Sequence, residues 1–464
     1  MPDPNEPVSS TPTGQGHAGW WPRAAIAVSL LLPTGTVLAE GVVQMGMSQK
    51  LLEPEAALDL DYISDLRSGA VYVDILTAGE VINISLCGAR DDDAVSVDIY
   101  APSDDAVPVL GPADQPTGTL PCNDPMDAPL TDPMRHVTTE TGTYRLMLSN
   151  DSGNGFTGGV FSRYDITVTP DAQTDPDPRD TDGRLWAYTF AFNAGGFDEE
   201  FSTDADYFAL VPGGRNDTNY VWKLDLNNFA GYGYNLVANS LGVDGENAGY
   251  SVERSGNGMT ARFPQYVGYP AIAQDRPSQG PVLTNVSFVD SEGQDYAISP
   301  GSGDSVQEEG TFEFDSDVTG NYAIQIDLNE DGIYGNAGDR QMLGLTQVGT
   351  NLVDWDGRDA TGDIAPIGNY GVRIRVRMGE YHFVANDVET SGGPNENGLT
   401  VFLANDDGSV SDTLVYWDDA TLLDPPGTSS TPDGALASTD AGKHTWGNFS
   451  SDSFGDARFI DTYV

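Results

Sequence analysis

Short runs in which apolar and polar side chains alternate recur along this chain. Ala70–Ile75, Val81–Leu86, Val95–Tyr100, Tyr144–Leu148 and Tyr164–Val168 each put an apolar residue at every second position. Period two is the period of a strand, and it lines one face of a sheet with core residues. Turn-forming residues separate the runs. The chain holds 54 Gly and 29 Pro, and helical runs rich in Leu, Ala and Lys are few. The expected class is therefore all-β, as tandem β-sandwiches, jelly-roll-like and immunoglobulin-like. A length of 464 residues suffices for about three such domains.

The runs divide the chain. Residues 61–170 read as one sandwich. Before it, residues 40–60 contain Met45, Met47, Leu51, Leu52 and Ala56–Leu58, and read as a linker or a short helix. After it, residues 171–183 are acidic and proline-rich, which excludes a packed core and predicts a linker. Its Asp175, Asp177, Asp180 and Asp182 offer either a second cation position or a hydrated hinge. Residues 184–300 form a β domain dense in rings, with Arg184–Phe192 and Tyr220–Leu226 alternating. These rings fill a sandwich core or, in the sharper reading, form an exposed platform of Trp222, Tyr232 and Tyr234 that stacks on sugars. A third sandwich is expected over 301–385. A β-rich segment over 386–464 is too small to stand alone and should pack on the second or third domain.

Within the third domain, Asp327-Leu-Asn-Glu-Asp-Gly332 spells D-x-N-x-D-G. Oxygen side chains at positions 1, 3 and 5 converge when the chain turns sharply at a glycine in position 6, and the carbonyl at position 7 adds a ligand. The expected calcium ligands are Asp327, Asn329, Asp331 and the Ile333 carbonyl, with Asp339 closing the set. Position 12, where an EF-hand has glutamate, is Gly338, and Tyr322–Ile326 before the loop reads as a strand. The loop is thus either a strand-flanked calcium site or a solvated acidic turn.

Two resemblances follow from longer motifs. The stretch Trp355-Asp-Gly-Arg-Asp-Ala-Thr-Gly-Asp-Ile-Ala-Pro-Ile-Gly-Asn-Tyr370 resembles the immunoglobulin-like domain of the flagellar hook-capping protein. That likeness implies Trp355 in a core, turns at Asp356-Gly357 and Thr361-Gly362, and a strand from Tyr370 to Val376. Over 61–170, Ala78-Gly-Glu-Val-Ile-Asn-Ile-Ser85 and Thr141-Gly-Thr-Tyr-Arg-Leu146 resemble the pre-peptidase C-terminal module of bacterial secreted proteins. It implies a jelly-roll-like accessory domain. Neither resemblance implies an active site.

Charge narrows the partners. With 71 acidic against 21 basic residues the formal net charge is −50. Nucleic acid is excluded on electrostatic grounds, and an anionic membrane surface is disfavoured. Divalent cations or a saline medium would relieve the self-repulsion. Arg23, the apolar run Ala24–Leu32 and the small residues of Val37-Leu-Ala39 read as an export signal over 1–39, cleaved after Ala39, with a signal anchor as the rival reading. No further apolar span follows, so no integral membrane segment is expected after signal removal. Cys87 and Cys122 are the only cysteines. In an exported chain they are expected to pair, contributing about 3–4 kcal/mol in the chain-entropy model; independent free thiols are the alternative.

No HExxH, GxSxG, P-loop or dinucleotide fingerprint occurs, and only four histidines are present. The expectation is a non-catalytic secreted or cell-surface protein, extracellular or periplasmic. Its role would be structural or adhesive, with calcium as cofactor and an extracellular protein or polysaccharide as partner. The alternative is a secreted glycan-binding module or the accessory subunit of an extracellular enzyme. Burial of Trp222, Tyr232 and Tyr234 separates the two.

Overall fold

Among the described residues every strand pairing is antiparallel, as expected where alternating runs are joined by turns. The computed structural model describes residues 38–41, 51–54, 70–88, 94–111, 133–151, 161–176, 183–193, 202–203, 206–226, 229–230, 233–243, 252–253, 263–290, 297–300, 308–335, 338–386, 399–417, 443–444 and 458–463. No helix occurs among them, and the chain is all-β.

Two large sheets carry most of the strands. The 11-stranded sheet runs Val252–Glu253, Arg458–Tyr463, His382–Asn386, Gly233–Asn239, Thr189–Asn193, Leu51–Pro54, Phe161–Thr169, Val81–Gly88, Met134–Val137. Leu38–Gly41 pairs beside Phe161–Thr169, and Tyr416–Trp417 beside Arg458–Tyr463. The 10-stranded sheet runs Val410–Asp412, Leu399–Ala404, Asn219–Asp225, Asp206–Pro212, Gln265–Tyr266, Leu185–Ala187, Ala70–Ile75, Gly142–Asp151, Ala94–Tyr100, with Lys443–His444 on Leu399–Ala404.

The inner faces of these sheets share one core. Val71, Val73, Ile82, Ile84, Leu146 and Ile166 from the first third belong to the same buried cluster as Phe190, Tyr207, Leu224, Leu236 and Phe383. Hydrogen bonding therefore crosses the linker expected at 171–183: Val73 pairs with Leu185 and Tyr72 with Trp186. It also crosses the boundary expected at 300, since Val237 pairs with Val384, while Lys223 pairs with Phe402 of the C-terminal segment, which was expected to pack on the second or third domain. The reason is that sheet edges left open by one set of alternating runs are completed by another set, which removes unpaired backbone groups. Within 40–60, where a helix or linker was expected, the described residues 40–41 and 51–54 are strand instead. Leu38–Gly41 pairs with Phe161–Thr169, and Leu51–Pro54 pairs with Thr189–Asn193. Glu40 explains part of this: its buried Oε2 accepts the backbone N–H of Arg184 (2.8 Å) and of Leu185, which ties the first strand to the chain entering the opposite sheet.

A smaller sandwich is inserted between Gln265–Tyr266 and His382–Asn386 of the large one. One of its sheets orders Leu283–Asp290, Gly310–Ser316, Gly349–Trp355; the other orders Arg340–Thr346, Gly320–Asp327, Gly371–Arg377. Phe312, Phe314, Val353 and Trp355 from the first meet Ile324, Ile326 and Met342 from the second in one core. This lobe begins at Leu283, ahead of the expected 301. The strand Leu283–Asp290 breaks its alternation at a register shift between Thr284 and Ser287, with Asn285 at φ 56°, so period two does not show it. Trp355 lies in the core, and its Nε1 donates to Arg358 O at 2.9 Å. Gly357 turns at φ 70°, and a Cβ there would meet Pro300 Cγ at 2.0 Å, so only glycine fits.

Candidate functional site: the acidic loop and the lobe junction

The acidic loop joins two hydrogen-bonded strands of the inserted lobe, Gly320–Asp327 and Arg340–Thr346. Its own backbone amides fold it. Asp327 Oδ1 accepts from Asp331 N at 3.1 Å and Oδ2 from Gly332 N at 2.9 Å. Asn329 Oδ1 accepts from Asp331 N at 3.0 Å, and Asp331 Oδ1 from Ile333 N at 2.7 Å. Asp339 closes the base: Oδ1 accepts from Leu328 N at 3.1 Å and Oδ2 from Gly335 N at 2.9 Å. Gly332 sits at φ 80°, which supplies the sharp turn that the spacing requires, and Glu330 before it is also left-handed at φ 60°.

Of the five expected ligands, Asp327 and Asp339 are buried at the base of the loop, whereas Asn329, Asp331 and the Ile333 side chain are exposed. Among the described residues no group of three His, Cys, Asp or Glu side chains stands together to hold a metal. The donor chemistry still suits a hard cation, because carboxylate and carbonyl oxygens are calcium's ligands and an ionised carboxylate has about four acceptor positions.

The other expected site residues fare differently. Trp222 is buried. It lies on the same face of its strand as Leu224, within the shared core, stacks at 6.2 Å and 8° on Tyr381, and donates from Nε1 to Gly379 O at 3.3 Å. Trp222 is thus part of a core, not of a sugar platform, because alternation turns this face inward. Tyr232 lies outside the described residues. Tyr234 pairs with Phe192, and its side chain is outside the description. Cys87 lies in Val81–Gly88 opposite Arg163, while Cys122 lies outside the described residues. So do residues 1–37 of the expected export segment, and Asp177, Asp180 and Asp182. Asp175 forms a 3.6 Å ion pair with Arg135. No helix among the described residues is long and apolar enough to cross a membrane.

A buried charged cluster at the lobe junction was not read from the sequence. His382 opens the strand that returns the chain from the inserted lobe to the large sandwich. It is fully buried, with Nδ1 2.7 Å from Asp461 Oδ1 and Nε2 3.1 Å from Glu380 Oε1. Asp461 is also fully buried, and its Oδ2 accepts from Val243 N at 3.1 Å. Arg377 Nη1 stands 3.7 Å from Glu380 Oε2. Burial opposes a charged imidazole, but attraction and hydrogen bonds from Asp461 and Glu380 outweigh it, and the pKa is pushed up to about 9. The only local hint is Glu380-Tyr-His382; Asp461 comes from the far end of the chain. Further contacts lock the junction. Asn321 Nδ2 donates to Ser240 O, Thr319 N donates to Gly214 O at 3.0 Å, and Arg215 pairs with Asp317 at 3.0 Å.

No family model matches this chain, and no curated protein matches it. Among solved structures, a DUF4785 family protein from Legionella pneumophila subsp. pneumophila is 14% identical over 68% of this chain and 81% of that one, with a TM-score of 0.15. A likeness at that level carries no argument about fold or function.

Proposed function

We propose that this chain is a non-catalytic secreted or cell-surface protein with a structural or adhesive role, stabilised by calcium. The observation that supports it best is the fixed junction between the two sandwiches. The inserted lobe is clamped by Trp222, Asn321, Arg215 and the buried His382 cluster, an arrangement suited to bearing load or presenting a surface. The export segment over 1–39 and the Cys87–Cys122 disulfide belong to the same proposal, as does an extracellular protein or polysaccharide partner.

Calcium would sit at the acidic loop, held by Asp327, Asn329, Asp331, the Ile333 carbonyl and Asp339. A ligand that binds only the folded state stabilises by about 2.7 kcal/mol at a hundredfold excess over its Kd. Adding EDTA at constant high ionic strength should lower the melting temperature of the full chain, and Asp331→Ala should abolish that difference. Magnesium should substitute poorly, since it demands a smaller octahedral shell. Identical melting with calcium and with EDTA would reduce the loop to a solvated turn.

The second reading, a glycan-binding module or an accessory subunit of an extracellular enzyme, no longer rests on Trp222. It draws support instead from aromatic rings on the outer face of the 10-stranded sheet.

A further inference from the structure

Strand register lines up one row of side chains across the outer face of the 10-stranded sheet. Tyr100 lies opposite Arg145, Arg145 opposite Tyr72, and Tyr72 opposite Trp186. The row continues through Tyr266, Phe208, Lys223 and Phe402. The second half is covered: Tyr269 packs edge-on against Phe208 at 6.0 Å, and Ile272 and Ala273 join the same cluster. The first half opens into a groove of about 470 Å³ whose lining includes Tyr72, Tyr100, Thr143, Arg145, Trp186 and Tyr188.

The groove has ordered rings and buried donors. Tyr72 stacks on Trp186 at 4.2 Å and 14°, and Tyr188 stands edge-on to both, at 5.6 Å and 5.1 Å. The Arg145 guanidinium lies 3.7 Å over the Tyr100 ring, and its Nη2 donates to Asp105 O at 2.6 Å. Trp186 and Arg145 are both more than nine-tenths buried, yet Trp186 Nε1 and Arg145 Nε have no hydrogen-bond partner among the described residues. Buried donors without acceptors are rare and call for an explanation. Half-buried rings beside a few convergent polar groups, in a groove of this size, make a small-ligand site.

From this arrangement we infer that the groove binds a neutral glycan. A sugar ring offers a C–H face to Tyr72 and Tyr188 and, at its edge, hydroxyls for the Arg145 guanidinium and the Asp105 carboxylate, which line the same groove. Charge decides against anionic ligands. Among the described residues Arg145 is the only cation lining the groove, the Asp105 carboxylate lines it too, and the whole chain carries −50. The inference rests on the polysaccharide-partner reading and names its site.

The test is titration of the full chain with cellohexaose, maltohexaose, laminarihexaose and chitohexaose, followed by tryptophan fluorescence and calorimetry. Polygalacturonate and a decaproline peptide are the comparators. One neutral hexasaccharide should bind saturably. Tyr188→Ala and Tyr72→Ala should each weaken it about tenfold, the equivalent of one lost stacking contact. Leu352→Ala, on the exposed surface of the inserted lobe, should not. Tyr72→Phe keeps the ring and should retain most of the affinity, which separates lost stacking from misfolding. If a hexasaccharide binds undiminished in both alanine variants, the groove assignment fails while the polysaccharide reading stands. If no oligosaccharide binds, both fail. Preferential binding of decaproline or polygalacturonate would overturn the assignment to a neutral glycan.

Discussion

A His382→Leu variant should lose about 3–5 kcal/mol of folding stability, because it removes the imidazolium from between the buried Asp461 and Glu380 carboxylates. Replacing Asp461 by leucine as well should recover part of the loss, since a buried ion pair exchanged whole for apolar groups is often neutral. The same cluster predicts a pH dependence. The folded pKa of His382 is raised to about 9 from an unfolded value near 6.5. Its contribution is therefore complete below about pH 6.5 and is lost as pH rises through 9, with a ceiling of about 3 kcal/mol. Denaturant midpoints measured from pH 6 to pH 10 should fall in the wild type and stay flatter in the double leucine variant. A wild-type stability that is level across that range would show that His382 is neutral in the fold.

The second large effect concerns the shared core. Phe190 is fully buried, pairs with Leu236 and Pro54, and packs at 5.0 Å against Tyr207. Phe190→Ala should cost about 3–5 kcal/mol, from lost transfer energy and the cavity left behind. Because Val71, Ile84 and Leu146 belong to the same cluster, the loss should destabilise residues 70–169 together with residues 185–239. Hydrogen exchange should accelerate in both regions by the same factor. Acceleration confined to 185–239 would mean that two independent cores adjoin.

The local features of this fold were legible in the sequence. Alternation marked Ala70–Ile75 and Val81–Leu86, Tyr322–Ile326 read as a strand, and all three lie within observed strands; Gly332 adopts the left-handed turn that its place in the acidic motif demands. Trp355 occupies the core that its motif implied. Pairing partners were not legible, because period two says which side of a strand is buried and not which strand lies beside it. Nothing local joins Tyr72 to Trp186, or Lys223 to Phe402. The ring count around 184–234 was plain, but alternation assigns faces without saying which face meets solvent. Trp222 therefore stood open between core and platform, and its face is the buried one. The His382 cluster needed Asp461, far away in the chain, and so left almost no trace.

The placement of the strand Arg458–Tyr463 has a kinetic consequence. It lies inside the larger sheet, between Val252–Glu253 and His382–Asn386, and it delivers Asp461 to His382. A chain emerging vectorially from a ribosome or a translocation pore can close the inserted lobe early, from near neighbours. The large sandwich must wait for this late segment. Contacts of such long sequence separation make folding slow, and until they form, the edge of His382–Asn386 is unpaired and open to association with other chains. Refolding should therefore be biphasic, with the inserted lobe ahead of the sandwich, and its yield should fall with protein concentration.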